Sequence, residues 1–135
     1  MIKLMSLACA AALALTATTA HAEGDAAKGE RTFKKCKACH TIEQGGKNKV
    51  GPNLFGIVGQ HGAHKEDFKY SKGYLKAADK IMWDEAAIDE YLQDPSKYLS
   101  KLAGEKVRSK MTFKLKGKKK ADDRADVIAY LKTQK

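Results

Sequence analysis

The sequence predicts an all-α fold in one domain, with about four to five helices. Helix start signals and apolar stripes at helical spacing recur along the chain, whereas strand signals are sparse. A Gly-rich region from Gly45 to Gly62 is predicted as loop, and no internal repeat or low-complexity linker divides the chain. A domain of this length buries a limited fraction of its surface unaided, so a large bound group would help to complete its core.

The first predicted helix runs from about Asp25 to Cys36. Its opening aspartate can cap free backbone N–H groups, and Gly29 and Phe33 share one face because they lie four residues apart. The second runs from Asp84 to Gln93, with Glu85 in a first turn where the helix dipole favours negative charge. Its apolar stripe comprises Ile88, Tyr91 and Leu92.

The third predicted helix starts at Asp94 and reaches about Leu102. Pro95 follows the aspartate cap at the first helical position, which is a specific start signal. The last helix begins near Ala121 or Asp122, and Lys132 lies near its C-terminal end. Its predicted core positions are Val127, Ile128, Tyr130 and Leu131.

The N-terminus has the features of a cleaved secretory signal peptide, residues 1–22. A short basic start precedes an apolar stretch from Leu4 to Leu15, and Ala20-His21-Ala22 matches a small-x-small cleavage site. The apolar stretch is shorter than the roughly 20 residues that a membrane span needs. We therefore expect export to the periplasm and cleavage after Ala22, which leaves residues 23–135 as the mature domain. Cys9 lies in the leader and is interpreted as a small apolar residue.

The mature chain is strongly basic. Residues 1–22 contain one Lys and no acidic residue, so their removal changes the formal net charge from +10 to +9. Such a charge favours binding to an acidic protein, membrane or nucleic acid surface, and export argues against nucleic acid.

The segment Cys36-Lys37-Ala38-Cys39-His40 predicts covalent attachment of a c-type haem. Each thiol can add across one haem vinyl group to form a thioether, while the adjacent imidazole reaches the iron. A bare Cys-x-x-Cys also occurs in redox and zinc proteins, so a disulfide and a Cys2His2 zinc site with His61 and His64 remain alternatives. The spacing of those two histidines suits a zinc hairpin only loosely, and no βαβ pattern surrounds the cysteines.

Further motifs follow the haem motif in a consistent order along the whole mature chain. They are Gly24 to Glu30, His40-Thr41-Ile42-Glu43, Gly51-Pro52-Asn53-Leu54-Phe55-Gly56, Trp83, Tyr91 to Pro95, Lys110-Met111-Thr112-Phe113 and Ala129-Tyr130-Leu131. Together these residues resemble the class I c-type cytochromes and, within them, the bacterial cytochromes c2. The resemblance implies a monomer that folds around one covalently bound haem c, whose iron cycles between ferrous and ferric states.

The sixth iron ligand separates an electron carrier from a gas-binding or catalytic haem. Met111 matches the axial methionine of the family, whereas Met82 is interpreted as a flexible core filler. A His40/Met111 pair would raise the reduction potential, because a soft thioether favours ferrous iron. His61 and His64 remain competing ligands if the Gly-rich loop folds over the haem.

The resemblance also implies the surroundings of the haem. The Pro52 carbonyl would accept a hydrogen bond from the second ring nitrogen of His40 and orient it. Tyr70 and Trp83 match positions whose O–H and N–H reach a haem propionate, with Ser109 as a further donor. Tyr91 would be the tyrosine that lies near the axial methionine, Met111. Gly29 and Phe33 are expected to cross the last helix at Tyr130 and Leu131.

Two features depart from the family pattern. Gly59-Gln60-His61 lacks the usual Arg partner of an inner propionate, so propionate protonation is left open. The segment from Leu99 to Lys110 is longer than in mitochondrial relatives, and its flexibility bears on how firmly the Met111 sulfur stays bound.

The resemblance implies a soluble one-electron carrier rather than an enzyme. Its donor would be a membrane cytochrome bc complex, and its acceptor a photosynthetic reaction centre or a terminal cytochrome oxidase. A haem sensor or peroxidase-like enzyme with an open sixth site, and a haem-free basic binding module, are the alternatives. Lysines around the haem edge could dock on acidic partner faces. The candidate docking lysines are Lys35, Lys37, Lys49, Lys110, Lys114 and Lys119.

Overall fold

The computed structural model describes residues 23–135, and within this range the all-α prediction is confirmed. The helices are α1 Ala26–Phe33, α2 Lys72–Ala78, α3 Glu85–Gln93, α4 Pro95–Ala103 and α5 Ala121–Thr133, with a 3-10 turn at Lys118–Lys120. Sheet pairing in these residues is limited to one isolated bridge between His61 and Met82. Across residues 23–135 every helix is too short or too polar to cross a membrane. The predicted leader, with Cys9, lies outside the described residues.

The three aspartate caps form as predicted. Asp25, Asp84 and Asp94 each accept a hydrogen bond from the backbone N–H three residues later, at 2.8–3.0 Å. These bonds satisfy N–H groups that have no partner within the helix. Helix α4 ends at Ala103 and is capped by Gly104, whose φ of 70° is the left-handed conformation that glycine adopts without steric cost.

The first helix ends at Phe33 and not at Cys36, so its predicted end was wrong. From Lys34 the backbone tightens into successive turns, in which the Cys36 N–H donates to the Phe33 carbonyl at 2.8 Å. A further turn joins the His40 N–H to the Cys36 carbonyl at 2.9 Å. Bonds over three residues alternate here with bonds over four, so the regular helix ends and the cysteine motif lies on turns after it.

Helix α2 was not predicted. Its N-cap is Ser71, whose hydroxyl accepts a hydrogen bond from the Tyr74 N–H at 3.2 Å. Gly73 in the first turn weakens the helical signal of this short sequence. Packing against α4 stabilises it, with Ala77 and Ala78 buried.

Helices α1 and α5 cross at very close range. A Cβ atom on Gly29 would lie 1.9 Å from the Asp126 carbonyl oxygen and 2.8 Å from the Tyr130 Cβ. The Phe33 and Tyr130 rings are 5.4 Å apart, so the predicted crossing at Tyr130 is confirmed. Only a residue without a side chain allows the two backbones to approach this closely.

A buried arginine ties α5 to α3 and to the preceding chain. Arg124 is 5% exposed, and its Nε donates to the Asp89 carboxylate at 2.7 Å. One terminal nitrogen of the same guanidinium donates to the carbonyls of Leu115 and Gly117 at 2.7 and 2.9 Å. The buried charge is thus both paired and hydrogen-bonded, as burial requires.

Candidate haem site

The thiols of the motif differ in burial and are not joined in a disulfide. Cys36 is partly buried and Cys39 is exposed. Burial raises the pKa of the Cys36 thiol to about 11, so this thiol is protonated at neutral pH. Because thiol–disulfide exchange requires a thiolate, this environment disfavours a thioredoxin-like role for the pair.

The ring of His40 is oriented by a backbone carbonyl. Its Nδ1 lies 2.7 Å from the carbonyl oxygen of Pro52, which is the contact that the family resemblance implies. A proton on Nδ1 then leaves the lone pair of Nε2 free to bind a metal. Burial lowers the pKa of His40, and the bond to Pro52 opposes this only in part. The neutral imidazole that a metal ligand needs is therefore favoured.

Gly51 allows the His40 ring to occupy this position, a role that the sequence analysis missed. A Cβ atom on Gly51 would lie 2.3 Å from the Cε1 of His40 and 2.7 Å from its Nδ1. The Gly51 N–H also donates to the Cys39 carbonyl at 2.8 Å, so the glycine backbone is fixed against the motif. The glycine directly before Pro52 was the available signal, although spacing alone does not show the contact.

Asn53 supports the loop that carries Pro52, and it too was missed as a site residue. It is 3% exposed, and its side-chain amide donates to the Thr41 hydroxyl at 2.7 Å and to the Glu43 carbonyl at 3.0 Å. Its side-chain oxygen accepts from the Phe55 N–H at 3.1 Å. These bonds hold the Pro52 loop against the segment that follows His40.

A second group of predicted residues forms around Ser109, which is 6% exposed. The hydroxyls of Tyr91 and Ser109 are 3.4 Å apart, and the Met111 N–H donates to the Ser109 hydroxyl at 3.1 Å. Met111 is partly buried and packs against the hydrophobic core. The structure therefore brings Tyr91, Ser109 and Met111 together, although they come from different parts of the sequence.

Trp83 lies in an aromatic cluster. It is 6% exposed. Its ring meets the Tyr91 ring edge-on, with 4.9 Å between the ring centroids, and stacks against the Tyr98 ring, with 6.0 Å between the centroids. Tyr70 stacks on Tyr74 at 4.8 Å, and the Tyr70 hydroxyl accepts a hydrogen bond from the backbone of the adjacent loop. Tyr74 and Tyr98 were not predicted as site residues, because their positions on α2 and α4 reveal only helical packing.

His64 has two buried ring nitrogens without a hydrogen-bond partner among the described residues. Burial lowers its pKa, which favours the neutral ring. A buried polar atom without a partner is costly, so a polar group of a bound cofactor that paired with this ring would offset that cost. His61 is exposed and pairs through its backbone with Met82. Met82 is 43% exposed, so its interpretation as a core filler was wrong.

The zinc alternative lacks support in residues 23–135. This part of the chain holds no group of three or more His, Cys, Asp or Glu residues placed to bind a metal ion. The free thiols of Cys36 and Cys39, the oriented imidazole of His40 and the buried nitrogens of His64 instead fit a covalently attached haem. Such a group needs two thiols that can form thioethers with it, an imidazole that can bind its iron, and polar partners for its carboxylates.

All six candidate docking lysines are exposed. The Lys49 ammonium donates to the Lys37 carbonyl, which holds part of this surface next to the haem motif. Lys114 contacts the Asp94 carboxylate at 2.8 Å, so its charge is partly compensated. Lys110 directly precedes Met111.

Comparison with known proteins identifies the family. The family model for cytochrome c matches residues 26–135. Cytochrome c2 of Rhodospirillum rubrum is 50% identical over 127 residues, covering 93% of this chain and 92% of that protein. Cytochrome c-550 of Paracoccus denitrificans is 44% identical over 141 residues, covering 96% of this chain and 86% of that protein.

Solved structures agree with this assignment. Ferric cytochrome c-550 from Paracoccus versutus has a TM-score of 0.71 at 42% identity, covering 83% of this chain and 98% of that structure. Cytochrome c2 from Rhodobacter sphaeroides has a TM-score of 0.74 at 39% identity, covering 83% and 97%. The chain therefore belongs to the cytochrome c family, as an electron-transfer protein with one covalently attached haem c and not an enzyme.

Proposed function

We propose that this chain is a periplasmic one-electron carrier whose haem iron is bound by His40 and Met111. The observation that carries the proposal is the 2.7 Å contact between the His40 Nδ1 and the Pro52 carbonyl, which leaves Nε2 free to bind a metal. Of the two methionines in residues 23–135, Met82 is exposed, whereas Met111 packs against the core. The Ser109 hydroxyl anchors the Met111 backbone.

The protein groups would act by holding and enclosing the cofactor. A covalently attached haem supplies an iron that accepts and releases one electron. Thioethers at Cys36 and Cys39 would prevent the cofactor from dissociating, and the Pro52 carbonyl would keep the imidazole in one orientation. The Met111 sulfur would hold the iron as its second protein ligand, which would leave no open site for oxygen or peroxide and would favour the ferrous state.

Optical spectra of the holoprotein test this ligand set. The native ferric protein should show a low-spin spectrum with a sulfur-to-iron charge-transfer band. Met111→Ala should abolish the band, and the matched control Met82→Ala should keep it. A band that survives Met111→Ala, or ready binding of carbon monoxide to the native ferrous protein, would contradict the proposed ligation.

We further propose that the carrier accepts electrons from a membrane cytochrome bc complex and passes them to a photosynthetic reaction centre or a terminal cytochrome oxidase. The mature charge of +9 and the six exposed lysines support docking on acidic partner faces. At physiological ionic strength the screening length is about 8 Å, so the attraction acts close to the interface.

Electron-transfer rates with isolated membranes from a bacterium that makes these complexes test the docking proposal. The second-order rate should be high at low salt and fall steeply as the salt concentration rises. Lys110→Gln should lower the low-salt rate more than Lys132→Gln, because Lys132 contacts the Glu85 carboxylate and its charge is already compensated. Equal rates at all salt concentrations would contradict docking on acidic faces.

Export is tested by cell fractionation and mass spectrometry. The periplasmic fraction should contain a haem-bearing chain that starts at Glu23. A chain that retains residues 1–22 in the membrane fraction would contradict cleavage.

A further inference from the structure

The long segment between α4 and Met111 is held by hydrogen bonds to two serines of α4. The helix ends at Ala103, and residues 104–110 form an irregular loop that leads directly to Met111. Such a loop would be expected to open easily, since it has no regular secondary structure of its own. Hydrogen bonds to the hydroxyls of Ser96 and Ser100 restrain it.

Ser100 fixes the middle of the loop. Its hydroxyl accepts a hydrogen bond from the Val107 N–H at 3.0 Å. The same hydroxyl lies 2.7 Å from the Ser96 carbonyl and 3.1 Å from the Val107 carbonyl. A hydroxyl carries a single proton, so it donates to one of these carbonyls, and the shorter distance favours Ser96.

Ser96 fixes the end of the loop next to the methionine. Its hydroxyl accepts a hydrogen bond from the Ser109 N–H at 2.9 Å. The Ser109 hydroxyl in turn accepts from the Met111 N–H at 3.1 Å. Two successive hydrogen bonds therefore connect α4 to the backbone of Met111. Ser109 itself is buried, so an N–H that lost its partner there would be costly.

Helix α2 closes the loop from another direction. A Cβ atom on Gly73 would lie 3.0 Å from the Arg108 carbonyl oxygen, so the helix backbone is close to the loop. Lys76 and Glu105 form an ion pair at 2.7 Å, with both side chains about half exposed. An exposed pair of this kind contributes little, so the serine hydrogen bonds are the main polar restraint.

We propose that Ser96 and Ser100 form a clasp that sets how readily the Met111 sulfur leaves the haem iron. Both are positioning residues, because they act on Met111 through the backbone of residues 107–111. This inference rests on the proposed function, in which Met111 is the sixth ligand. It adds to that function that two hydroxyls of α4 restrain the ligand.

The rate at which added imidazole displaces the methionine tests the clasp. In the ferric holoprotein the saturating rate of this reaction is limited by dissociation of the sulfur from the iron. Each alanine variant loses a neutral hydrogen bond that stabilises the closed loop. We therefore expect this rate to increase about five- to tenfold in Ser96→Ala and in Ser100→Ala. Ser96→Thr, which keeps a hydroxyl, should restore most of the native rate.

Thr133→Val is the matched control. It removes a hydroxyl that donates to the Tyr130 carbonyl at 2.6 Å near the end of α5, far along the chain from the loop. Its displacement rate should equal that of the native protein. Rates within twofold of native in both alanine variants would overturn the clasp.

Failure of the clasp can be told apart from failure of the ligand assignment. If the charge-transfer band depends on Met111 but the serine variants react at the native rate, only the clasp is wrong. If the band survives Met111→Ala, the ligand assignment is wrong. Should an alanine variant not fold, amide exchange in the native holoprotein decides the question. The Val107 and Ser109 N–H groups should then be protected, and exchange at the rate of an unstructured chain would overturn the proposal.

Discussion

Gly51→Ala should disturb His40, the proposed axial ligand, without changing any group proposed to bind the cofactor. The added Cβ would lie 2.3 Å from the His40 Cε1, whereas carbon atoms in contact are separated by roughly 3.5 Å. The ring, the backbone or both must therefore move by about 1 Å. The backbone is restrained, because the Gly51 N–H donates to the Cys39 carbonyl.

A shift of this size threatens the bond that orients His40. Its Nδ1 lies 2.7 Å from the Pro52 oxygen, and a displacement of about 1 Å away from it would exceed the usual hydrogen-bond range. Overpacking at a fixed site typically costs 1–3 kcal/mol, so we expect the free energy of unfolding to fall by about 2 kcal/mol. The loss of an orienting contact should also weaken binding of the iron by the imidazole.

Guanidinium unfolding of the ferric holoprotein, followed by haem absorbance and helical circular dichroism, measures both effects. Val50→Ala is the control, since Val50 adjoins Gly51 but is largely exposed. Native stability and a native low-spin spectrum in Gly51→Ala would refute the reasoning, because they would show that the loop accommodates a methyl group at this position.

Three further predictions concern stability. Gly29→Ala should destabilise the protein in thermal unfolding, despite a gain in helix propensity of about 1 kcal/mol, because α1 would be forced away from α5; an unchanged melting temperature would contradict it. Arg124→Ala should lower the free energy of unfolding by about 2–3 kcal/mol in denaturant titrations, because the Asp89 carboxylate and two backbone carbonyls lose a charged hydrogen-bond donor; a loss below 1 kcal/mol would argue against the network. A hydrogen bond from Lys114 holds the pKa of Asp94 in the folded protein below its value in the unfolded chain. The ionised carboxylate therefore stabilises the fold fully above the pKa of the unfolded chain, and this stabilisation is lost as the pH falls through the pKa of the folded protein. Lys114→Gln should raise that pKa, so NMR titration should show the loss at a higher pH, and an unshifted titration would count against the contact.

The features that depend on residues close together in the sequence were predicted most accurately. The caps at Asp25, Asp84 and Asp94 involve a side chain and a backbone N–H only three residues apart, so the local pattern contains both partners. The end of α1 was misplaced because the helix signal continues past Phe33 while the backbone tightens toward the motif. Helix α2 was missed because its short sequence contains Gly73 and gains its stability from packing against α4.

The sequence by itself determined the family, the all-α fold and the haem motif, because thiols and imidazole within five residues define that chemistry locally. Only the tertiary structure decided which distant groups support it. Gly51 lies eleven residues from His40, and Ser96 thirteen from Ser109, yet each pair is in direct contact. Contacts of this kind depend on how distant segments of the chain fold against one another, so they cannot be predicted from the pattern of neighbouring residues.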